Sequence, residues 1–205
     1  MLRIYQIIWS TMYKFQRLTG IVRTRLRLAG NGVRYSSYRI VGVPVIQVEG
    51  GGGIVLGNNF AMNNGMKANQ IGFNTPCVLR AEGGGSIFIG ENVGMSQTTL
   101  IAKNVDIAIG NNVKLGGGVK VYTTDFHCLD YMKRRDPKSD MSERKCLPVS
   151  IGDDCFVGAG VIILKGVTIG ARSIIGAGSV VTKDIPSDSV AAGNPCKVIK
   201  RIAQK

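Results

Sequence analysis

Residues 151–186 read IGDDCFVGAGVIILKGVTIGARSIIGAGSVVTKDIP. Stepping by six from Ile151 meets Val157, Ile163, Ile169, Ile175 and Val181, every one Ile or Val. Such residues make up about one position in five of the chain, so six in one phase has a chance probability on the order of one in ten thousand. Glycine follows the apolar residue at Gly152, Gly158, Gly170 and Gly176, and these pair at eighteen-residue offsets. Eighteen is three sixes, which describes a chain wound into a coil with three short strands and three corners per turn.

Working outward, the same unit appears as an apolar-x-apolar-Gly phrase at Ile54–Gly57, Ile87–Gly90, Ile107–Gly110, Val149–Gly152 and Val167–Gly170. Two copies carry a longer match, Glu49-Gly50-Gly51-Gly52-Gly53-Ile54 and Glu82-Gly83-Gly84-Gly85-Ser86-Ile87, read as equivalent corners whose glycines permit positive φ. Ile89 and Ile109 stand twenty apart, so small corner insertions are expected in this half. One coil cannot bury its own apolar row. Stacked coils at about 4.8 Å make a continuous core and three parallel sheets, provided that the ends are capped.

Composition agrees with a chain that turns often: 28 glycines, a single Trp, and abundant β-branched residues in 205. That length suits one substantial core plus a short appendage, divided as 1–30 and 31–205. The five cysteines, Cys77, Cys128, Cys146, Cys155 and Cys196, are odd in number and form no C-x-x-C pair. They read as free thiols of a reducing compartment, and a cytoplasmic location is expected. The net charge is +13, and residues 1–48 hold eight Lys and Arg before the first acid, Glu49. In this basic stretch Ile4, Ile8, Met12, Phe15, Leu18 and Val22 recur at helical spacing beside Tyr5, Trp9 and Tyr13, which describes an amphipathic helix. It is too basic for a membrane span and lacks the plan of a signal peptide. Packing against the coil or a neighbouring subunit and peripheral contact with anionic lipid through residues 1–20 are its two main readings; no motif points to nucleic acid.

The segment YTTDFHCLDYMKRRDPKSDMSERKCLP, at about 122–148, breaks the repeat: stepping by six from Val121 meets His127, Lys133, Ser139 and Lys145. It must leave the coil as a loop, and long loops in compact domains are disproportionately functional. It carries His127, the only histidine of the chain. Imidazole is neutral near pH 7 and can take a proton from an attacking hydroxyl, so His127 is the candidate general base. Its second ring nitrogen needs an orienting partner: Asp130 or Asp125, with a backbone carbonyl as the third option.

Residues 151–186 followed by AAGNPCKVIKRI, and the T-D-F-H-C-L-D phrase around His127, resemble the hexapeptide-repeat acyltransferases, in particular the galactoside, maltose and polysaccharide O-acetyltransferase branch. The resemblance covers roughly residues 50–203. It implies a left-handed β-helix, a homotrimer, and acetyl-CoA lying between two subunits as the acyl donor to a sugar or glycan hydroxyl, with no metal. By the same resemblance Ala159 and Ala177 border the pantetheine arm, Thr182 and Lys183 touch the donor late in the coil, and Lys197 and Lys200 stand near its phosphates. Phe156 replaces a family tryptophan, and an acceptor-contacting asparagine falls near Ser96, so Ser96 and Gln97 are expected to face the acceptor. One histidine cannot supply the three zinc ligands of a β-helix carbonic anhydrase. The alternatives kept are N-acetylation of an amino-sugar nucleotide and a non-catalytic trimeric scaffold at the inner membrane face.

Overall fold

The structure is a computed structural model that describes residues 2–203, with the backbone alone for residues 2–4 and 7–17 of the first helix. Helix α1 spans Leu2–Gly30. The chain then winds as a three-faced parallel coil. Face one stacks Arg34–Tyr35, Gly53–Leu56, Ser86–Ile89, Ile107–Ile109, Val149–Ile151 and Thr168–Ile169. Face two stacks Tyr38–Val41, Phe60–Asn63, Gly94–Ser96, Lys114–Leu115, Phe156–Val157, Ile174–Ile175 and Ser189–Ala192, and closes with Lys197–Arg201 running antiparallel. Face three stacks Val45–Val48, Val78–Glu82, Thr99–Lys103, Lys120–Tyr122, Ile162–Ile163 and Val180–Val181.

Register follows the repeat read from sequence: Ile151 pairs with Ile169, Val157 with Ile175 and Ile163 with Val181, each eighteen residues on. All six of those residues are buried, as are Ile54, Ile87 and Ile107 on face one. The apolar rows therefore form one axial core, with alternate residues outside, as period-two strands require.

Corner chemistry explains the glycines. After each face-one strand the chain turns at Gly57, Gly90, Gly110, Gly152 and Gly170, and these stack so closely that side chains are excluded. A Cβ on Gly90 would stand 2.7 Å from the Gly110 backbone and 2.6 Å from Asn111 Oδ1. Two residues later each corner turns through a left-handed residue: Asn59, Asn92, Asn112, Asp154 and Arg172. Three of the five are asparagine, the side chain that tolerates this conformation best after glycine. Their amides form a ladder, Asn59 Nδ2 to Asn92 Oδ1 at 2.9 Å and Asn92 Nδ2 to Asn112 Oδ1 at 3.1 Å. The paired polyglycine corners expected at 50–53 and 83–85 are present, with positive φ at Gly50, Gly51, Gly83 and Gly84.

Helix α1 caps the first coil, and among its described side chains the contact is not made by Leu18 or Val22. Gly20, Thr24 and Leu28, at four-residue spacing, face the coil and are buried. Thr24 Oγ1 donates to the Gly42 carbonyl at 3.2 Å, and the Arg27 guanidinium donates to that of Pro44. Leu18 and Val22 are instead exposed. The expected contacts of Ile4, Ile8, Trp9, Met12, Tyr13 and Phe15 lie outside the described side chains. The helix stops because Gly32 takes φ +60°: Gly32 N–H reaches Ala29 O at 3.0 Å and Val33 N–H reaches Leu28 O at 3.0 Å. This satisfies its last carbonyls while Val33 and Leu28 pack together in the core.

Two segments leave the coil. The expected excursion departs after Tyr122 and returns at Val149, its base pinned by the Thr124–Cys146 bridge and by Leu147 N–H to Thr123 O at 2.9 Å. It contains α2, Tyr131–Arg134, and α3, Pro137–Glu143. A second excursion, residues 64–77, was not anticipated and separates Asn63 from Val78.

Candidate active site

Asp136 starts α3: its carboxylate accepts from Ser139 N–H at 2.8 Å, and Pro137 occupies the first turn, where a missing N–H costs nothing. That helix presents Asp140. Its Oδ2 lies 2.7 Å from His127 Nδ1, and its Oδ1 accepts from Cys128 N–H at 2.6 Å. The hydrogen bond from His127, then that from Cys128, hold the Asp140 carboxyl below the usual carboxylate range. Arg134 adds to this and fixes the turn by donating to Cys128 O at 3.0 Å. An ionised carboxylate only accepts, so the proton between the two side chains belongs to Nδ1 and the Nε2 lone pair is left for a substrate. The imidazole is 67% exposed and Asp140 14%, so the acid is seated and the base projects.

This corrects the expectation for Asp130 and Asp125. Asp130 caps α2, accepting from Met132 N–H at 2.9 Å. Asp125 pairs with Lys165 at 2.5 Å. Both are spent on holding the excursion, so the orienting acid is thirteen residues from His127. The phrase Asp136-Pro137-Lys138-Ser139 is a helix-start signature and was the signal that could have placed Asp140 on a short helix. Immediately before His127, Phe126 adopts φ +64° and packs edge to face on Tyr122 at 5.2 Å between ring centroids. A left-handed conformation is unfavourable for a bulky side chain, and here it turns the backbone so that His127 follows the change of direction.

Of the other predicted residues, Ala159 and Ala177 form a second group. Gly117, Ala159 and Ala177 stack on the corner between faces two and three, with Gly160 N–H to Gly117 O and Gly178 N–H to Ala159 O, both 2.8 Å. Gly117 is covered by the 64–77 excursion, whereas at Ala159, half-buried, and Ala177, exposed, small side chains leave the backbone accessible to a ligand. Beneath it, on the same corner, lie Ser96 and Gln97, but they do not face an open acceptor site. Ser96 Oγ accepts from Asn63 at 3.2 Å and from Asn69 at 2.9 Å. Gln97 is 2% exposed, with its amide directed at the carbonyls of Gly65, Asn69 and Phe73. Both residues are the foundation of the 64–77 excursion, whose Ile71 and Phe73 lie against Gly117 and Gly118. Thr182 and Lys183 are exposed immediately past the last face-three strand, and Lys197 and Lys200 are exposed on the closing strand.

The two groups occupy opposite edges of one face. Strand Lys120–Tyr122 runs from the glycine corner to the mouth of the His127 excursion, a span of about 10 Å for three residues. His127, Asp140, Thr182 and Lys183 belong to one edge; Gly117, Ala159 and Ala177 belong to the other. Among the described residues no cluster of three His, Cys, Asp or Glu could hold a metal ion. No described helix is long and apolar enough to cross a membrane.

Comparison with known proteins agrees with the coil. Residues 148–183 match the family model described as the hexapeptide repeat of succinyl-transferase. The galactoside O-acetyltransferase of Escherichia coli K12 is 41% identical over 102 residues, 50% of this chain and 47% of that one. The chain thus spans about half the length of this relative. A hexapeptide-repeat containing acetyltransferase from Vibrio cholerae, VCA0836, superposes with TM-score 0.59 at 25% identity over 90% of this chain and 82% of that one. Its complex with acetyl coenzyme A gives 0.51 at 26% identity over 90% and 78%. The N-acyltransferase AntD of Bacillus cereus shares the fold, with TM-score 0.67 at 20% identity over 87% of each chain. The repeat at 148–183 thus matches the hexapeptide repeat, and the three-faced coil that carries it is the left-handed parallel β-helix seen in the hexapeptide-repeat acetyltransferases it resembles.

Proposed function

We propose that the protein is an acetyl-CoA-dependent O-acetyltransferase acting on a hydroxyl of a sugar or surface-polysaccharide precursor in the cytoplasm. The observation that carries this reading is the His127–Asp140 pair, a seated carboxylate holding one ring nitrogen at 2.7 Å while the other projects. Nε2 takes the acceptor hydroxyl proton as its oxygen attacks the thioester carbonyl, and Asp140 offsets the charge of the imidazolium that forms. Backbone N–H groups of the small-residue ridge are the candidate donors to the oxyanion of the tetrahedral intermediate. Collapse of that intermediate expels the CoA thiolate, which takes the proton back from His127. The pantetheine arm runs along Ala159 and Ala177, with Thr182, Lys183, Lys197 and Lys200 toward the phosphates.

Because His127 and the ridge stand on opposite edges of a face, this chemistry calls for the edge of one copy to meet the ridge of another. A cyclic homotrimer satisfies that requirement with three equivalent sites. The acetyl-CoA complex of the Vibrio cholerae relative and the identity with the galactoside enzyme support the donor and the acceptor class respectively.

The test is thiol release from acetyl-CoA by purified protein across a panel of sugars and glycan fragments. Release that depends on a hydroxyl acceptor and is lost in His127→Ala is expected. Activity confined to amino-sugar nucleotides would move the transfer to nitrogen, and no acceptor-dependent release at all would leave a scaffold.

A further inference from the structure

Helix α1 has a second face. At about 100° per residue, Gly20, Thr24 and Leu28 cluster on the side that meets the coil, and Leu18, Val22 and Leu26 fall on the opposite side. Those three are 62%, 51% and 67% exposed, so a continuous apolar strip points away from the protein. Arg25 borders the strip on one side and Arg23 on the other, both exposed. Arg27 is occupied by the Pro44 carbonyl and takes no part. The order around the helix is thus cation, three apolar residues, cation. A helix built only to cap the coil needs its inner face alone.

Past the helix, Arg34 and Arg39 of the first coil add to the positive charge at this end of the molecule. Residues 1–48 contain eight Lys and Arg and no Asp or Glu. Between α1 and the 64–77 excursion lies a cavity of about 560 Å³ whose lining includes Ile21, Arg39, Met66 and Lys67, again apolar and cationic groups without an acid.

From these observations we infer that the outer face of α1 docks on an anionic lipid bilayer, with Leu18, Val22 and Leu26 in the headgroup and upper acyl region and Arg23 and Arg25 among the lipid phosphates. Charge complementarity selects the occupant. An aqueous protein partner would need an acid of its own on each side of the strip, aligned with Arg23 and Arg25, whereas an anionic bilayer offers phosphate on both sides of any apolar strip. A helix in this position lies in the membrane plane and holds the capped end of the coil against the surface. The inference does not depend on acetyl transfer; a non-catalytic coil would dock in the same way.

Co-sedimentation of the full chain with vesicles tests it. Binding to phosphatidylglycerol-containing vesicles, little to pure phosphatidylcholine, and release at high salt are expected. The variant Leu18→Glu/Val22→Glu/Leu26→Glu should lose about tenfold or more in partition, and Arg23→Gln/Arg25→Gln severalfold, with thermal midpoints near that of the parent because these side chains are exposed. Undiminished binding by the glutamate variant would overturn the inference, as would failure of the parent to bind anionic vesicles. A change in subunit number of that variant by light scattering would also overturn it, by assigning the strip to a contact between copies.

Discussion

Replacing Asp140 by Asn keeps the shape of the side chain and removes its charge. The structure sets the scale of the effect. A positioned general base contributes roughly 10²–10⁴ in rate, and that is the most that losing His127 altogether should cost. Asp140 acts through His127 and so controls only part of it. It selects the Nδ1–H tautomer and balances the imidazolium; an amide can still accept at Nδ1 but can also turn its NH₂ toward the ring, and then the proton is driven to the wrong nitrogen. With the ring 67% exposed, water can replace some of what the carboxylate supplied. The expected loss is therefore about tenfold in kcat, well short of the loss reached when such an acid is buried. The KM for acetyl-CoA should stay within about twofold, since no atom of Asp140 belongs to the ridge. Asp130→Asn is the matched control, because asparagine caps a helix as well as aspartate and Asp130 does not touch the imidazole. Steady-state thiol release on the three proteins decides the matter. Parent-like kcat in Asp140→Asn, or a larger fall in Asp130→Asn, would refute the pairing as the source of the base's orientation.

The Asp140 carboxyl should also be visible by its titration. Its folded pKa lies below the unfolded one, so its stabilisation of the excursion is complete above the ordinary aspartate value of about 3.9 and is lost as pH falls through the lowered value. Carboxyl NMR should show it titrating below a peptide aspartate, and moving up in His127→Ala; no movement would mean that the imidazole is not its main partner. Leu28→Ala, at a fully buried position, should cost about 2–4 kcal/mol and lower the thermal midpoint by several degrees, whereas Leu26→Ala on the outer face should change it by about 1 °C or less. Gly90→Ala forces a Cβ to within 2.7 Å of the Gly110 backbone and should cost about 1–3 kcal/mol, while Gly30→Ala meets nothing within 4 Å and should be neutral or slightly stabilising.

The coil was legible because a repeat writes one physical requirement many times. Ile151, Val157, Ile163, Ile169, Ile175 and Val181 each bury one side chain in an axial row, so the period survives any single substitution. Corner glycines were equally plain, although stacking of one backbone on the next, and not positive φ, explains Gly57, Gly90 and Gly110. The 64–77 excursion escaped because Asn63 and Val78 continue their faces as if nothing intervened, and its anchors are single amides, Gln97 above all, with no periodicity to announce them. Ser96 and Gln97 looked like exposed polar residues on an apolar coil; their burial is intelligible only once the covering loop is known. His127 was found because it stands alone where the repeat breaks. Asp140 was not, because proximity in sequence favoured Asp125 and Asp130, and it takes the fold of α3 to bring residue 140 back. Among the described side chains of α1 the buried ones are Gly20, Thr24 and Leu28, of which only the last is strongly apolar, so hydropathy did not mark this face.

The division of the candidate residues between two edges of one face has a genetic consequence. If each site takes its histidine from one copy and its ridge from the next, two defective alleles can rescue each other. A His127→Ala chain still offers an intact ridge, and an Ala177→Trp chain still offers an intact base. In rings assembled at random from equal amounts of both, about one interface in four joins the two good edges in the right order. Co-expression should therefore restore about a quarter of the parent activity from two chains that are each inactive alone. A site contained within a single chain would restore none.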